Sequence, residues 1–160
     1  MEFREVGRIV GFGVHCGDVD GVALCRLFSH AISGADPPYY LSSDNDPLFR
    51  FHRWQANLRI LEVDEIKTVP FTPISHPFVE RLIGTIRREY LDHVPFWNSL
   101  DLQRKLDEFK SYYNQHRTHT ALSGLSPAEY LENQLRACVD IRHYGWQSHC
   151  RSLFYTPIAA

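Results

Sequence analysis

The sequence predicts an α/β domain, and three observations in its first third carry the prediction. Arg8-Ile-Val-Gly-Phe-Gly-Val14 is an apolar run of β-branched and aromatic residues, which reads as a buried strand. After the break at Gly17-Asp18, Leu24, Leu27, Phe28 and Ala31 recur at i, i+3, i+4 and i+7, one face of an amphipathic helix. Tyr39 to Ser43 is a second short strand. Asp44 stands just beyond it, at the C-terminal end of a strand, where open α/β sheets place their ligand sites.

The remaining elements follow in order. Gly34 and Pro37-Pro38 end the first helix. Phe49 to Asn57 predicts a short helix with Trp54 and Leu58 turned inward. Arg59 to Val63 and Glu65 to Val69 read as extended, closed by Pro70 and Pro73. A helix bearing Glu80 comes next, with Val79, Leu82, Ile83, Ile86 and Tyr90 as its buried stripe. Glu80, Gly84, Arg87 and Leu91 share the adjacent face. Asp101 to His116 is a longer helix with Leu102, Leu106, Phe109 and Tyr113 on its apolar side. Ser126-Pro-Ala-Glu129 opens a last helix with a capping box and a proline at the first helical position. Beyond Arg136 the periodicity weakens. The chain therefore divides into a core, residues 1–136, and an aromatic-rich tail, 137–160, laid over it.

Bulk composition admits many functions. The 160 residues suit one domain with a single core. A hydrophobic fraction of 44% and a charged fraction of 22% are ordinary for a globular protein. A net charge of −2 gives no global basic signature of nucleic-acid binding, so any phosphate contact must come from a local cluster. Cys16, Cys25, Cys138 and Cys150 form no CxxC pair, and the plain reading is reduced thiols in a cytoplasmic protein. His143, His149 and Cys150 lie close in sequence, but nothing supplies the rest of a zinc site. No apolar stretch approaches the roughly 20 residues of a membrane span. Ile9 to Val14 is too short and too glycine-broken for a signal peptide.

The sharpest chemical signal is a pair of acids. Asp44 lies in Tyr-Leu-Ser-Ser-Asp-Asn-Asp-Pro-Leu-Phe, residues 40 to 49, and Glu80 lies in Phe78-Val-Glu-Arg81. Thirty-five residues, positions 45 to 79, separate them. Spacing alone says little in a chain with 19 acids. The flanks make it specific. Leu41-Ser-Ser-Asp-Asn45 resembles the segment that carries the second acid of DDE transposases and retroviral-type integrases. Phe78-Val-Glu-Arg81 with Thr85-Ile-Arg-Arg-Glu89 resembles the segment that carries the third. Tyr113-Asn-Gln-His-Arg117, His119, Leu122, Gly124 and Ser126-Pro127 resemble the element just downstream.

The resemblance covers residues 8 to 131. It implies a ribonuclease H-like integrase core and cleavage and joining of DNA with Mg²⁺ or Mn²⁺. Asp44 and Glu80 would hold metal, Asn45 would lie alongside, and Arg87 and Arg88 would meet DNA. Homo-oligomers, and a place in the cytoplasm on the nucleoid, are implied too. Hard divalent cations take oxygen ligands, which is why paired carboxylates suit phosphodiester chemistry. The pattern also departs from the family. Its first acid should lie on a strand ahead of the Arg8–Val14 segment, and only seven residues precede Arg8. The expected sheet is therefore incomplete, without its first two strands, and carries a C-terminal helical part. Glu2 stands in the wrong place to substitute. Asp46 replaces a glycine, Thr118 a proline, and His76 stands near a common asparagine.

Plainer roles stand beside each residue. Asp44 could close a turn, Glu80 could be a first-turn acid favoured by the helix dipole, and Asn45 could cap the next helix. Arg81, Arg88 and Lys105 could form a solvated face. Tyr113, Asn114, Arg117 and His119 could lock the C-terminal helices together. Three functions remain open: a strand transferase completed by another segment or chain, a core fragment inactive by itself, and a non-catalytic DNA-binding or oligomerisation module. The second is the expectation for the isolated chain.

Overall fold

The computed structural model describes residues 7–67, 77–132 and 144–159. Helix α1 spans Gly21–Ala31, with Asp20 as its N-cap accepting from the Ala23 N–H at 2.6 Å. Strand β1 is Tyr40–Ser43 and strand β2 is Asp64–Lys67; they pair in parallel with Tyr40 opposite Asp64. Helix α2, His52–Ile60, connects them after a short 3₁₀ turn at Pro47–Arg50. Parallel neighbours need such a crossover. Trp54, Leu58 and Val63 make the core of this half, packed by Leu24, Phe28, Leu41 and Phe49.

The second half is helical. Helix α3 is Pro77–Ile86 and runs into a π-helical turn at Arg87–Leu91. Helix α4 is Ser99–Gln115 and helix α5 is Pro127–Leu131, opened by the capping box of Ser126 and Glu129. Ile86, Tyr90, Leu106, Phe109 and Tyr113 meet in one core, with Tyr90 and Phe109 stacked at 5.3 Å. The expected apolar face of α4 is thus the observed one. Strands β3, Tyr144–His149, and β4, Phe154–Ala159, form an antiparallel hairpin in the tail. It lies against α4: Phe154 stacks on Tyr112 at 4.2 Å, and His149 sits 4.1 Å from the His116 ring.

Several expectations change. Arg8–Val14 belongs to no strand. A strand needs a neighbour, and here side chains of α4 take that place. Asn114 bonds both backbone groups of Ile9, Lys110 donates to the Val10 carbonyl, and Gln103 to the Phe12 carbonyl. Residues 103, 110 and 114 lie on one helical face, so α4 tracks the segment like a hydrogen-bonding rail. On its other side the segment presses on α1. A Cβ at Gly13 would lie 2.9 Å from the Leu27 Cβ, and one at Gly11 would collide with the Ala31 carbonyl. Glycine is what permits this approach.

Arg59 and Ile60 are helical, not extended. The helix ends at Leu61, and Glu62 turns through a positive φ of 56°. The α3 stripe is only half right. Ile86 and Tyr90 are buried and Leu82 packs on the core, but Val79 and Ile83 are 47% and 51% exposed. Lys105 is not on a solvated face. It is 3% exposed, and its ammonium donates to Asp101 at 2.6 Å and to the Pro95 carbonyl. Glu2, His76, Cys138 and His143 lie outside the described residues, as do positions 68 and 69 of the second extended segment. Cys16, Cys25 and Cys150 are free thiols. No helix among the described residues is long and apolar enough to cross a membrane.

Candidate active site

Strand β1 delivers Asp44 to its C-terminal end. Ser43 turns inward and Asp44 follows in the turn beyond. One Asp44 oxygen accepts the Asp46 N–H at 3.0 Å, a local Asx turn. The cap of the following 3₁₀ turn is Asp46, which accepts from the Leu48 N–H at 2.8 Å. Capping therefore falls to neither Asp44 nor Asn45. Asp46 stands where the family pattern has glycine, and this contact accounts for it locally.

Glu80 lies in the first turn of α3, where the helix dipole favours an acid. Asp44 and Glu80 line one open cavity of about 530 Å³. Its other walls are Gly13, the α1 residues Leu24, Leu27, Phe28 and Ala31, and Val79. Two acids far apart in sequence are thus brought to a single mouth with an apolar floor. Both side chains are exposed to solvent at its rim.

Beneath Asp44 lies a polar network that reading the sequence missed. Glu65, on β2, has a side chain only 8% exposed. It accepts from Ser43 Oγ at 2.6 Å, Gln55 Nε2 at 2.7 Å, Lys67 Nζ at 2.7 Å and Trp54 Nε1 at 3.2 Å. Burial alone would raise the Glu65 pKa, but the bonds from Lys67, Ser43, Gln55 and Trp54 outweigh it and hold the carboxyl at about 2. The network ties β1 to β2 at Ser43, directly before Asp44. A signal was present: Glu65 and Lys67 sit two apart in a strand, so both charges share one face.

Arg87 and Arg88 are exposed at the start of the π-helical turn. The guanidinium of Arg88 folds back over Gly84: a Cβ there would lie 3.4 Å from Arg88 Nη1. Glu80, Gly84 and Arg88 are successive turns of one face, so Arg88, rather than Arg87, shares that lane. Arg117 pairs with Glu89 through two bonds of 2.7 and 2.9 Å and lies beside His119 and Tyr113. It fastens the end of α4 to the end of the α3 helix, a structural role.

The integrase core domain family matches residues 62–127. The putative transposase InsD of insertion element IS2E from Escherichia coli (strain K12) is 31% identical over 116 residues, 72% of this chain and 51% of that protein. The chain thus spans about half the length of that relative. A chain of the simian T-cell lymphotropic virus intasome, solved with the PP2A regulatory subunit B56 gamma, superposes with a TM-score of 0.60 at 16% identity, over 81% of this chain and 49% of that one. The catalytic core domain of BIV integrase superposes with a TM-score of 0.55 at 21% identity, over 74% of this chain and 75% of that one.

The fold is therefore that of retroviral integrase catalytic cores, ribonuclease H-like with an incomplete sheet. In motifs, family match and fold the chain is similar to the catalytic cores of DDE transposases and integrases. Within that class its similarity by sequence runs to the InsD transposases of IS2. The class depends in general on divalent metal ions. Among the described residues no group of three or more His, Cys, Asp or Glu side chains converges on a metal position. The cavity holds two carboxylates, Asp44 and Glu80, whose hard oxygens suit such an ion in part.

Proposed function

We propose that this chain is the catalytic core of a DNA-transposing enzyme, and that Asp44 and Glu80 are two of its metal-holding carboxylates. The observation that supports this reading is their meeting at one open cavity across 35 intervening residues. Mg²⁺ or Mn²⁺ bound there would polarise a scissile phosphate and stabilise the departing oxygen. The chain's own residues hold the frame. Glu65 and Ser43 fix the end of β1, the Asp46 N–H orients Asp44, and α3 presents Glu80 from its first turn. Asn45 lies beside Asp44, and Arg87 and Arg88 meet DNA phosphates. The partners are DNA and further copies of the chain, and the place of action is the cytoplasm, on the nucleoid.

Two carboxylates leave a two-ion arrangement incomplete, so isolated residues 1–160 are expected to bind DNA and metal without cleaving. Removing one member of a cooperating catalytic set costs most of the rate. Titration with Mn²⁺, followed by electron paramagnetic resonance, tests the site. Weak binding lost in both Asp44→Asn and Glu80→Gln supports it; unchanged binding in both rejects it. Nicking of DNA by residues 1–160 with Mn²⁺, abolished by Glu80→Gln, would show the chain competent alone. The non-catalytic module is the second reading, favoured by the lack of a three-ligand cluster among the described residues. Salt-dependent DNA binding with no Mn²⁺ binding selects it.

A further inference from the structure

Helix α1 borders two cavities. The one that holds Asp44 and Glu80 runs along Leu24, Phe28 and Ala31, and a second, of about 370 Å³, runs along Ala23, Arg26 and His30. Leu27 borders both. Ala23, Arg26, Leu27 and His30 stand at i, i+3, i+4 and i+7, so one face of α1 is a wall of the second cleft. The other wall is α4, through Ser99, Leu100 and Gln103. Half-buried Val14 contributes floor, and exposed His15 stands at the rim.

The cleft is a local basic cluster in a chain of net charge −2. His15, Arg26 and His30 line it, and among the described residues no acid does. None of the described residues pairs with the Arg26 guanidinium or bonds either imidazole. Three neighbouring acids are engaged instead. Asp20 caps the Ala23 N–H at 2.6 Å, Asp101 pairs with Lys105 at 2.6 Å, and Asp107 accepts from Gln103 at 3.3 Å. An imidazole offers an N–H donor in either protonation state and a guanidinium offers several, so the three residues suit the oxygens of an anion.

Next to this cluster stands Trp97, at 86% the most exposed large apolar side chain among the described residues. Its backbone N–H donates to Asp101 at 3.1 Å, which fixes it at the start of α4. Ser99, on the cleft wall, is two residues further on, so their Cα atoms lie at most about 7 Å apart. Phe96 and Leu100, also exposed, carry the apolar surface up to the cleft. A bare anion would meet the cations and leave the indole in water. A nucleotide answers both, because it joins a phosphate to a flat base in one short unit. Bases in a duplex are already stacked on one another, so a strand that lends a base to Trp97 is unpaired. A basic groove beside an aromatic platform holds single strands without reading their sequence.

We propose that the cleft between α1 and α4 is a binding site for an unpaired nucleic-acid strand, with a phosphate among His15, Arg26 and His30 and a base stacked on Trp97. The cleft contains neither Asp44 nor Glu80 and needs no metal, so it stands or falls apart from the carboxylate reading.

The test is NMR titration of the full 160-residue chain in metal-free buffer, with a short oligothymidylate as probe. The expected result is a saturable shift of the Trp97 indole and of the His15 and His30 rings that weakens with added salt, while the buried Trp54 indole stays in place. Arg26→Gln and Trp97→Leu, both at exposed positions, are each expected to weaken binding about tenfold. Arg59→Gln, in α2, is expected to leave it unchanged. Three further probes separate the sources: the same strand paired with its complement, thymidine monophosphate, and a polyglutamate peptide. If one of these moves the Trp97 indole as strongly as the oligothymidylate, the proposal is overturned in favour of a duplex, a free nucleotide or an acidic peptide. No binding, shifts confined to the Glu80–Arg88 face, undiminished binding in either folded variant, or an equal loss in Arg59→Gln also overturns it. Shifts of Trp97 that grow with protein concentration alone overturn it in favour of self-association.

Discussion

Asn114 grips Ile9 by both of its backbone groups: Oδ1 accepts the Ile9 N–H at 2.9 Å, and Nδ2 donates to the Ile9 carbonyl at 2.8 Å. Both residues are buried, and 105 positions separate them. The amide imitates the neighbouring strand that the Arg8–Val14 segment lacks. Asn114→Ala leaves a buried donor and a buried acceptor unmet, at about 1–3 kcal/mol each. The expected loss of stability is about 2–4 kcal/mol in urea denaturation. Asn114→Asp keeps the acceptor but turns a buried carboxylate oxygen on the Ile9 carbonyl, so at neutral pH it should cost at least as much. A change under about 0.5 kcal/mol for Asn114→Ala, the size of an ordinary surface effect, would sink the account.

What the sequence disclosed was local. Caps, stripes and turn residues act within a few positions, and α1, α4 and the Ser126–Glu129 capping box formed close to where the pattern put them. What it hid depends on distant partners. Arg8–Val14 has strand-like side chains, but a strand is a pairing, and its partner here is a helix more than 90 residues away. Val79 and Ile83 continue a good apolar stripe, yet no described element covers them. The β3–β4 hairpin was unreadable for another reason. Its turn runs through Cys150, Arg151 and Ser152 with φ of 50°, 59° and 66°, and none of the three is Gly or Asn. At the candidate site, Asp44 and Glu80 were legible through their flanks. Glu65 was not, because a buried carboxylate shows itself only through the donors that the fold gathers around it.

Those donors set a pH dependence. Glu65 is held at about 2 in the folded chain, against an ordinary value of 4.5. The folded value is the lower one, so this contribution is fully present above about 4.5 and is lost as pH falls toward about 2. Glu65→Gln removes the charge at every pH. It should therefore cost about 1.5–3 kcal/mol at neutral pH, as for a hydrogen-bonded charge. The deficit should shrink as pH falls through that window. Thermal unfolding of both proteins across this range checks it; a deficit that does not change with pH contradicts the assignment.

The tail should respond to acid over a higher range. His116 and His149 pack ring to ring at 4.1 Å, and His149 Nε2 bonds Thr156 Oγ1 at 2.8 Å. Burial lowers both pKa values, and His149 lowers His116 further, although the Glu129 charge opposes this. A histidine with a lowered folded pKa is held neutral, so its contribution is present above the ordinary value of 6.5 and declines as pH falls below it. The β3–β4 hairpin should loosen from α4 below that pH while the Phe109 core holds. Protection factors at residues 144–149 and 154–159, taken relative to the intrinsic exchange rate at each pH, should fall on acidification in the native chain and change less in His149→Gln. Equal protection factors at pH 7 and pH 5 in the native chain would contradict the account.

The lane from Glu80 across Gly84 to Arg88 gives the last expectation. Gly84 has no side chain, and the Arg88 guanidinium occupies the space a larger residue would take, directed toward the turn that carries Glu80. A cation lying along a helix face beside a cavity with two carboxylates suits a phosphate that must come close to both. Phosphate contacts position DNA without reading its sequence. Arg88→Ala should therefore weaken binding to unrelated duplexes by similar factors. It should also lower the slope of log affinity against log salt by about one. Gly84→Leu should act in the same direction by displacing the guanidinium, although it keeps the charge. Arg59→Ala, in α2, is the comparison for a general effect of charge. If it lowers affinity and slope as much as Arg88→Ala, the lane has no special part in binding. If Arg88→Ala changes stability instead of the salt slope, its role is structural.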